Sequence, residues 1–347
     1  MRARGRPSRC RLYAGLPSRF TGAVTLRLTL ACGDYDINQA LIDGTEAVQG
    51  VELTILTMSS PERHWRLMRH HEFDICEFSM ASYLAMRDQA SDPYVAVPVF
   101  PHRRFRHSYL FVNPEAGVTA ARDLEGRSVG LRTWQTTAGL WTRGILEDFY
   151  GVDIRSIDWV SQDEEDLPLD LRDFRLRRVP EGQDVDRMLV EGELAGLIYP
   201  EIPPSFRIGD PRIRRLFADA KAEEQRYFRE TGIFPIMHTV VIREDLLQRE
   251  PWLAMNVVQA FRRSKARAWK QMEDPRRVSL AWFREALEEQ RATLGQDPWP
   301  YDLPSNWKAV DVMCDYAARG GLTRKRLRVE ELFFPASIDD PPQYVGA

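Results

Sequence analysis

The stretch "VFPHRRFRHSYLFV" (99–112) sets Arg103, Arg104 and Arg106 beside His102 and His107, between apolar flanks that read as β-strand. Guanidinium forks hold carboxylates through paired hydrogen bonds, and imidazole titrates close to neutrality. Together they suit an anionic substrate that needs a proton moved, with His107 as the shuttle. A solvated basic loop making surface ion pairs has the same composition, so spacing alone leaves both readings open.

Further candidates stand where strands give way to helices. "TWQTTAGLW" (133–141) brings Gln135, Thr136 and Thr137 to a helix start, where free backbone N–H groups and hydroxyls converge on an anion or simply form a Thr N-cap. "CGDYD" and "EFSMASY" put Asp34, Glu77 and Ser79 at corresponding strand ends, the ligand-binding edge of open α/β sheets. His238, in "TGIFPIMHTVV", keeps apolar company and suits a core position as well as a catalytic one. "HHEFDICE" (70–77) lacks HExxH or another ligand spacing, so no metal site is expected. Without a Walker motif, a GxGxxG turn or a GxSxG elbow, neither a nucleotide nor any other cofactor is implied.

The elements that must position these residues follow a repeated grammar. "TLRLTLAC", "GVELTILTM" and "DICEFS" read as strands separated by a turn with a short helix and by the helix of "SSPERHWRLMRH", giving β-α-β-α-β. About a hundred residues later "RSVGLRT", "IRSIDWV" and "ELAGLIYP" repeat it, with helices over "WQTTAGLWTRGILEDFYG" and "DVDRMLVEG". "RLMRHHEFDICEFS" aligns with "RMLVEGELAGLIYP", which predicts two lobes built alike. "DEEDLPLDLRDFRLRRVPEG" (163–182) reads as an exposed excursion, "TVVIR" as a further strand, and the chain beyond Pro251 as amphipathic helices that pack on the first lobe.

Composition narrows the function classes. Of 347 residues, 44% are hydrophobic and 29% charged, which is ordinary for a soluble two-lobed protein. Residues 1–24 carry six arginines and no acid, leaving 42 basic against 51 acidic residues elsewhere, so nucleic-acid binding along the surface is not expected. The basic head contains no apolar run of the export-signal kind and is read as a disordered tail; no later segment suits a membrane span. Cys10, Cys32, Cys76 and Cys314 are scattered without CxxC, favouring reduced thiols and the cytoplasm.

"FPHRRFRHS", "YGV", "GELAGLI", "TGIFPIMH" and "WPYDLPSNW" together resemble the 4,5-dihydroxyphthalate decarboxylase family, itself related to the substrate-binding proteins of ABC transporters. The resemblance runs from about Leu26 to Phe334. It implies an α/β, two-lobe type II periplasmic-binding-protein-like fold with an inter-lobe cleft and C-terminal helices. Residues 25–112 and 240–335 would form lobe 1, residues 113–239 lobe 2, and 336–347 a C-terminal tail. It implies a small anionic aromatic carboxylate bound in the cleft by Arg103 and Arg106, a carboxy-lyase reaction, and His107 or His238 as the acid. The alternative on the same scaffold is a transporter's binding protein or a sensor, for which a permease would be the partner. The chain departs from its relatives at Ile37 and Asn38, where an arginine is common, and at Asp302 and Trp307, where Gly and Arg are usual.

Overall fold

The computed structural model describes residues 25–89 and 93–338; the arginine-rich head, with Cys10, and the chain from 339 onward lie outside the described residues. Four strands open the chain: β1 (Leu26–Cys32), β2 (Val51–Thr57), β3 (Ile75–Ser79) and β4 (Tyr94–Val97). Six follow: β5 (Leu110–Val112), β6 (Ser128–Leu131), β7 (Asp158–Ser161), β8 (Arg175–Arg178), β9 (Gly196–Ile198) and β10 (Arg214–Arg215). The chain then returns through β11 (His238–Arg243).

These strands make two sheets, ordered β2-β1-β3-β11-β4 and β10-β5-β9-β6-β7-β8. In the first, β1 is parallel to β2 and β3, while β11 runs antiparallel between β3 and β4. In the second, β6, β7, β8 and β9 are parallel and β5 is antiparallel to β9 and β10. The crossing strands β5 and β11 each end a passage between the halves, and the stretch 98–109 is one of those passages. Helices cover the sheets because the parallel strands are buried on both faces; all five residues of β3 are buried.

Two expectations need correction. The segment 163–182 is not a free excursion: it contributes β8, buries Phe174 among Val129, Trp134 and Trp159, and folds Leu167 and Leu169 onto the core. The C-terminal helices do not all serve the first sheet. Trp252–Met272 lies on it, whereas Trp307–Arg319 packs both on Met80–Asp88 of the first half and on Thr137–Asp148 of the other. The alternating apolar faces of these helices were legible; the choice of neighbour was not, because an apolar stripe does not specify what covers it.

The halves touch through an apolar seam. Met80, Leu84, Trp141, Ile236, Met313 and Tyr316 belong to one buried cluster, and Trp141 Nε1 donates to the Ile236 carbonyl at 2.8 Å. At Gly144 the helix Thr137–Asp148 presents bare backbone to the Tyr316 ring, whose atoms lie 2.1–2.5 Å from where a Cβ would stand. Gly144→Ala therefore forces the two helices apart and should lower unfolding stability by about 1–3 kcal/mol in urea titration, the usual cost of overpacking. An unchanged midpoint would show that the seam yields freely.

Candidate active site

A carboxylate in the middle of a fully buried strand must be paired. Glu77 of β3 is inaccessible to solvent, and four donors meet it: Gly33 N at 2.7 Å, Tyr35 Oη at 2.9 Å, His238 Nδ1 at 2.5 Å and Arg63 Nη2 at 3.0 Å. Each arrives for a structural reason. Gly33 follows the end of β1, and the Tyr35 ring folds back over it with no room for a Cβ. His238 begins β11 and pairs in register with Ser79, which puts its side chain diagonal to Glu77 on one sheet face. Arg63 reaches down from the helix Ser60–His70, and its other N–H groups donate to the carbonyls of Glu77 and Met58 at 2.8 Å each.

The charge states follow. Burial alone would raise the Glu77 carboxyl, but the Arg63 charge, the His238 hydrogen bond and the Gly33 N–H outweigh it and hold the group well below its ordinary range. An ionised Glu77 only accepts, so His238 carries its proton on Nδ1 and is left with a lone pair on Nε2. Burial depresses His238, with Glu77 pulling the other way. Two more imidazoles flank it, His64 at 4.9 Å and His102 at 4.7 Å between ring centroids, both also pushed down by burial. His64 Nε2 and His102 Nδ1 are buried without hydrogen-bond partners. Burial beside the Glu77 charge raises the Tyr35 hydroxyl, which remains a donor. Among the described residues no group of His, Cys, Asp and Glu has the disposition of a metal site.

Of the residues singled out from sequence, Glu77, His238 and Ser79 come together here. Ser79 caps the helix Met80–Asp88 and meets Thr137 across the seam, Oγ to Oγ1 at 2.9 Å, while Thr137 Oγ1 also accepts from Ala81 N at 3.1 Å. Asp34 is exposed and accepts from Gln39. Thr136 is an N-cap, accepting from Gly139 N at 3.2 Å. The helix start expected to hold a ligand anion already has one from the chain: Glu165 accepts from Trp134 N at 2.5 Å and Gln135 N at 2.9 Å, and Gln135 Nε2 donates to Asp166 at 2.8 Å. Gln135, Thr136 and Thr137 are thus occupied by internal partners.

The basic stretch resolves differently from expectation. Arg103 is buried, donating to the Phe234 carbonyl at 3.0 Å and to Asn306; burial lowers it to about 10. Arg106 is buried against the Tyr109 ring, donating to the Tyr199 carbonyl at 2.7 Å; burial lowers it to about 9. Both tie down the passage between sheets through backbone carbonyls, not through carboxylates. His107 lies among Tyr150, Phe217 and Tyr227, with neither nitrogen hydrogen-bonded, and burial lowers it to about 4. None of its ring neighbours belongs to the Glu77 cluster. Arg63, His64 and Tyr35 were not singled out, and His102 was named in the basic stretch without a role of its own. The available signal was Glu77 itself, because a carboxylate inside a buried strand demands a cation, and the adjacent helix offers Arg63 on its inward face.

The comparisons bear on what this cluster serves. The chain is 36% identical over 324 residues to the 4,5-dihydroxyphthalate decarboxylase of Comamonas testosteroni, covering 90% of this chain and 98% of that one. This chain belongs to the 4,5-dihydroxyphthalate decarboxylase family. A second member, from Pseudomonas putida, is 32% identical, over 59% of this chain and 82% of its own. Residues 35–166 match the family of ABC transporter periplasmic phosphonate substrate-binding proteins. The fold is that of the periplasmic aliphatic sulphonate binding protein SsuA from Escherichia coli (TM-score 0.51, 11% identity, 89% of this chain and 96% of that one). The alkanesulfonate-binding SsuA of Xanthomonas axonopodis pv. citri, bound to MOPS, agrees at TM-score 0.50 and 12% identity, over 90% and 98% of the two chains. The decarboxylase family thus has here a two-lobed binding-protein scaffold, with a buried carboxylate and three imidazoles at the sheet edge facing the other half. Among the described residues no helix is long and apolar enough to cross a membrane.

Two predictions follow from this geometry. Glu77→Gln leaves Arg63 buried without a counter-charge and should cost roughly 3–5 kcal/mol of unfolding stability in denaturant titration, the range for breaking a buried pair; a loss comparable to an exposed pair would contradict the network. His107 titrates at about 4 folded against an ordinary 6.5, so the unfolded chain binds more protons between those values. Its contribution is complete above pH 6.5 and is lost as pH falls towards 4, on the order of 3 kcal/mol. In His107→Phe the decline of unfolding free energy across that window should be shallower than in wild type; parallel curves would refute the assignment.

Proposed function

We propose that the chain is a carboxy-lyase that removes one carboxylate from a hydroxylated aromatic dicarboxylic acid of the 4,5-dihydroxyphthalate type, with His238 as the acid. The observation that carries this reading is the Glu77–His238 pair at 2.5 Å, in a chain aligned over nearly its whole length with a decarboxylase. Loss of CO2 from an aromatic ring needs a proton on the carbon that bears the carboxylate. A hydroxyl para to that carbon gives up its proton and pushes electrons into the ring, the ring carbon takes a proton from His238 Nε2 once that nitrogen has been protonated from solvent, and the carbon–carbon bond breaks. The bonding pair returns to the ring, CO2 departs and the hydroxyl regains its proton. In sum one carboxylate and one proton become CO2 and a ring C–H.

Glu77 fits this cycle because it holds the imidazole by Nδ1 and stabilises its charged form whenever Nε2 gains a proton. His64 and His102, neutral at rest and ring to ring with His238, would carry the hydroxyl's proton. Closure of the lobes on the substrate would protect the charged intermediate from water. Buried free thiols at Cys32, Cys76 and Cys314 fit the reducing cytoplasm we assign to it. The match of residues 35–166 to phosphonate-binding proteins favours a second reading, capture of a small anion without chemistry, for a permease or as a sensor.

Incubating the purified chain with 4,5-dihydroxyphthalate and a panel of hydroxylated aromatic acids, while following CO2, separates the two. We expect turnover with the dihydroxylated dicarboxylate, a fall of about 10²–10⁴-fold in kcat for His238→Ala, the usual weight of general acid catalysis, and a much smaller effect for His107→Phe. Thermal stabilisation by these acids without CO2 release would favour the binding protein. Loss of activity in His107→Phe with retention in His238→Ala would reverse the assignment of the acid.

A further inference from the structure

Of the three guanidinium groups in "HRRFRH", two are bound to backbone carbonyls and one is not. Arg104 is exposed, its backbone N–H fixed to the Pro235 carbonyl at 3.0 Å beside the bridge between Arg103 and Ile236. Its guanidinium lies 5.3 Å from the centre of the Tyr109 ring and has no carboxylate or carbonyl partner among the described residues. It borders the imidazole cluster: His102 is two residues away, and the Arg104 charge acts on both His102 and His238.

The balance of charge decides what this means. The ionic groups acting on His102 and His238 are Glu77, Arg63, Arg104 and Arg106. Glu77 and Arg63 cancel each other, and Arg106 is buried against carbonyls and the Tyr109 ring. With the imidazoles neutral, Arg104 is the accessible positive charge at the cluster, and the exposed Asp34, between Gly33 and Tyr35, is the accessible negative one. An arginine held over an aromatic ring, with its fork unpaired, is set to receive a carboxylate in two parallel hydrogen bonds.

We propose that Arg104 is the specificity-determining carboxylate clamp of this site, holding the carboxylate that the substrate keeps. The inference rests on the carboxy-lyase reading and goes a step beyond it, because the chemistry distinguishes the two carboxylates. A cation bound to the departing group would stabilise the ionised ground state more than the neutral CO2 being formed, and so would oppose the reaction. Bound to the adjacent carboxylate, the same cation orients the ring without that penalty and makes an ortho-dicarboxylate the preferred substrate class over a monocarboxylate.

Four forms of the full chain test this: wild type, Arg104→Ala, Arg104→Lys and, as a charge-matched control, Arg277→Ala on the exposed turn Pro275–Arg277. Calorimetric titration with phthalate, which has both carboxylates and no activating hydroxyl, should give a Kd weakened about 10- to 100-fold in Arg104→Ala, the value of a lost charge-assisted bond. Arg104→Lys should lie between, Arg277→Ala should match wild type, and weak benzoate binding should barely respond. In turnover of 4,5-dihydroxyphthalate, KM should rise more than kcat falls. A phthalate Kd and a KM within about twofold of wild type in Arg104→Ala would overturn the clamp, even if CO2 is still released. Arg104-dependent phthalate binding without CO2 release would leave the clamp standing and remove the lyase reading. Failure of the wild type both to bind phthalate and to turn over substrate would overturn both.

Discussion

A carboxylate that cannot reach water organises this molecule. Glu77 sits in the most buried strand of the first sheet, and its ionised form survives only because a guanidinium, an imidazole, a phenol and a backbone N–H converge on it. Those four groups come from three places: the turn after β1, which supplies two of them, the helix before β3, and the strand returning from the other half. One buried charge thus makes the sheet edge, the overlying helix and the return strand mutually dependent. Replacing such a set with apolar side chains is often neutral for stability. His238 is the one imidazole among these partners, and burial holds it below its ordinary range while Glu77 pulls the other way.

The second half meets this edge with some of its polar groups paired internally, while Nε and Nη1 of the buried Arg143 have no hydrogen-bond partner. The free N–H groups before the helix Thr137–Asp148 take Glu165, and Arg143, buried at the same helix, stacks 3.8 Å over Trp134 and donates to the Trp134 carbonyl at 2.9 Å. Burial pulls Arg143 down to about 9. A scaffold shared with sulphonate-binding proteins has, in this chain, an internal carboxylate at that helix start. On the first half and its connecting passage lie the exposed Arg104 and the three clustered histidines. The Ser79–Thr137 contact keeps the two halves in register across that boundary.

Much of the architecture was legible because it rests on local periodicity. The repeated strand and helix patterns, the return strand at "TVVIR" and the long C-terminal helices all appear where the alternation and the Gly-ended amphipathic runs put them. The site was legible only in part. Glu77, Ser79 and His238 were found because strand ends in α/β sheets gather ligands. Arg103, Arg106 and His107 attracted attention by their density of charge, yet density does not tell which guanidinium points at a carbonyl and which stays exposed. Arg63 and His64 were hidden inside "PERHW", a run whose polar composition reads as a solvated helix face, although Arg63 is fully buried and His64 packs on Phe78. His102 was named in the basic stretch but given no role, because His107 stood beside it with the same chemistry.

That outcome follows from how buried charge must be arranged. An arginine inside a protein needs acceptors for its N–H groups, and backbone carbonyls at a chain crossing supply them without the directional demands of a carboxylate. Arg103 and Arg106 meet that requirement through their terminal N–H groups, each leaving a buried Nε unpartnered, and become part of the passage that joins the halves. An arginine that is meant to receive a ligand must instead stay accessible, unpaired and backed by something that limits its motion, here the Tyr109 ring. By the same logic an imidazole that must give and accept protons needs one nitrogen anchored and the other open. His238 has that arrangement through Glu77, whereas His107, enclosed by rings with both nitrogens unpartnered, has no anchor from which to direct a proton. Sequence composition names the residue types capable of the chemistry; which copy performs it is decided by the acceptors around each one.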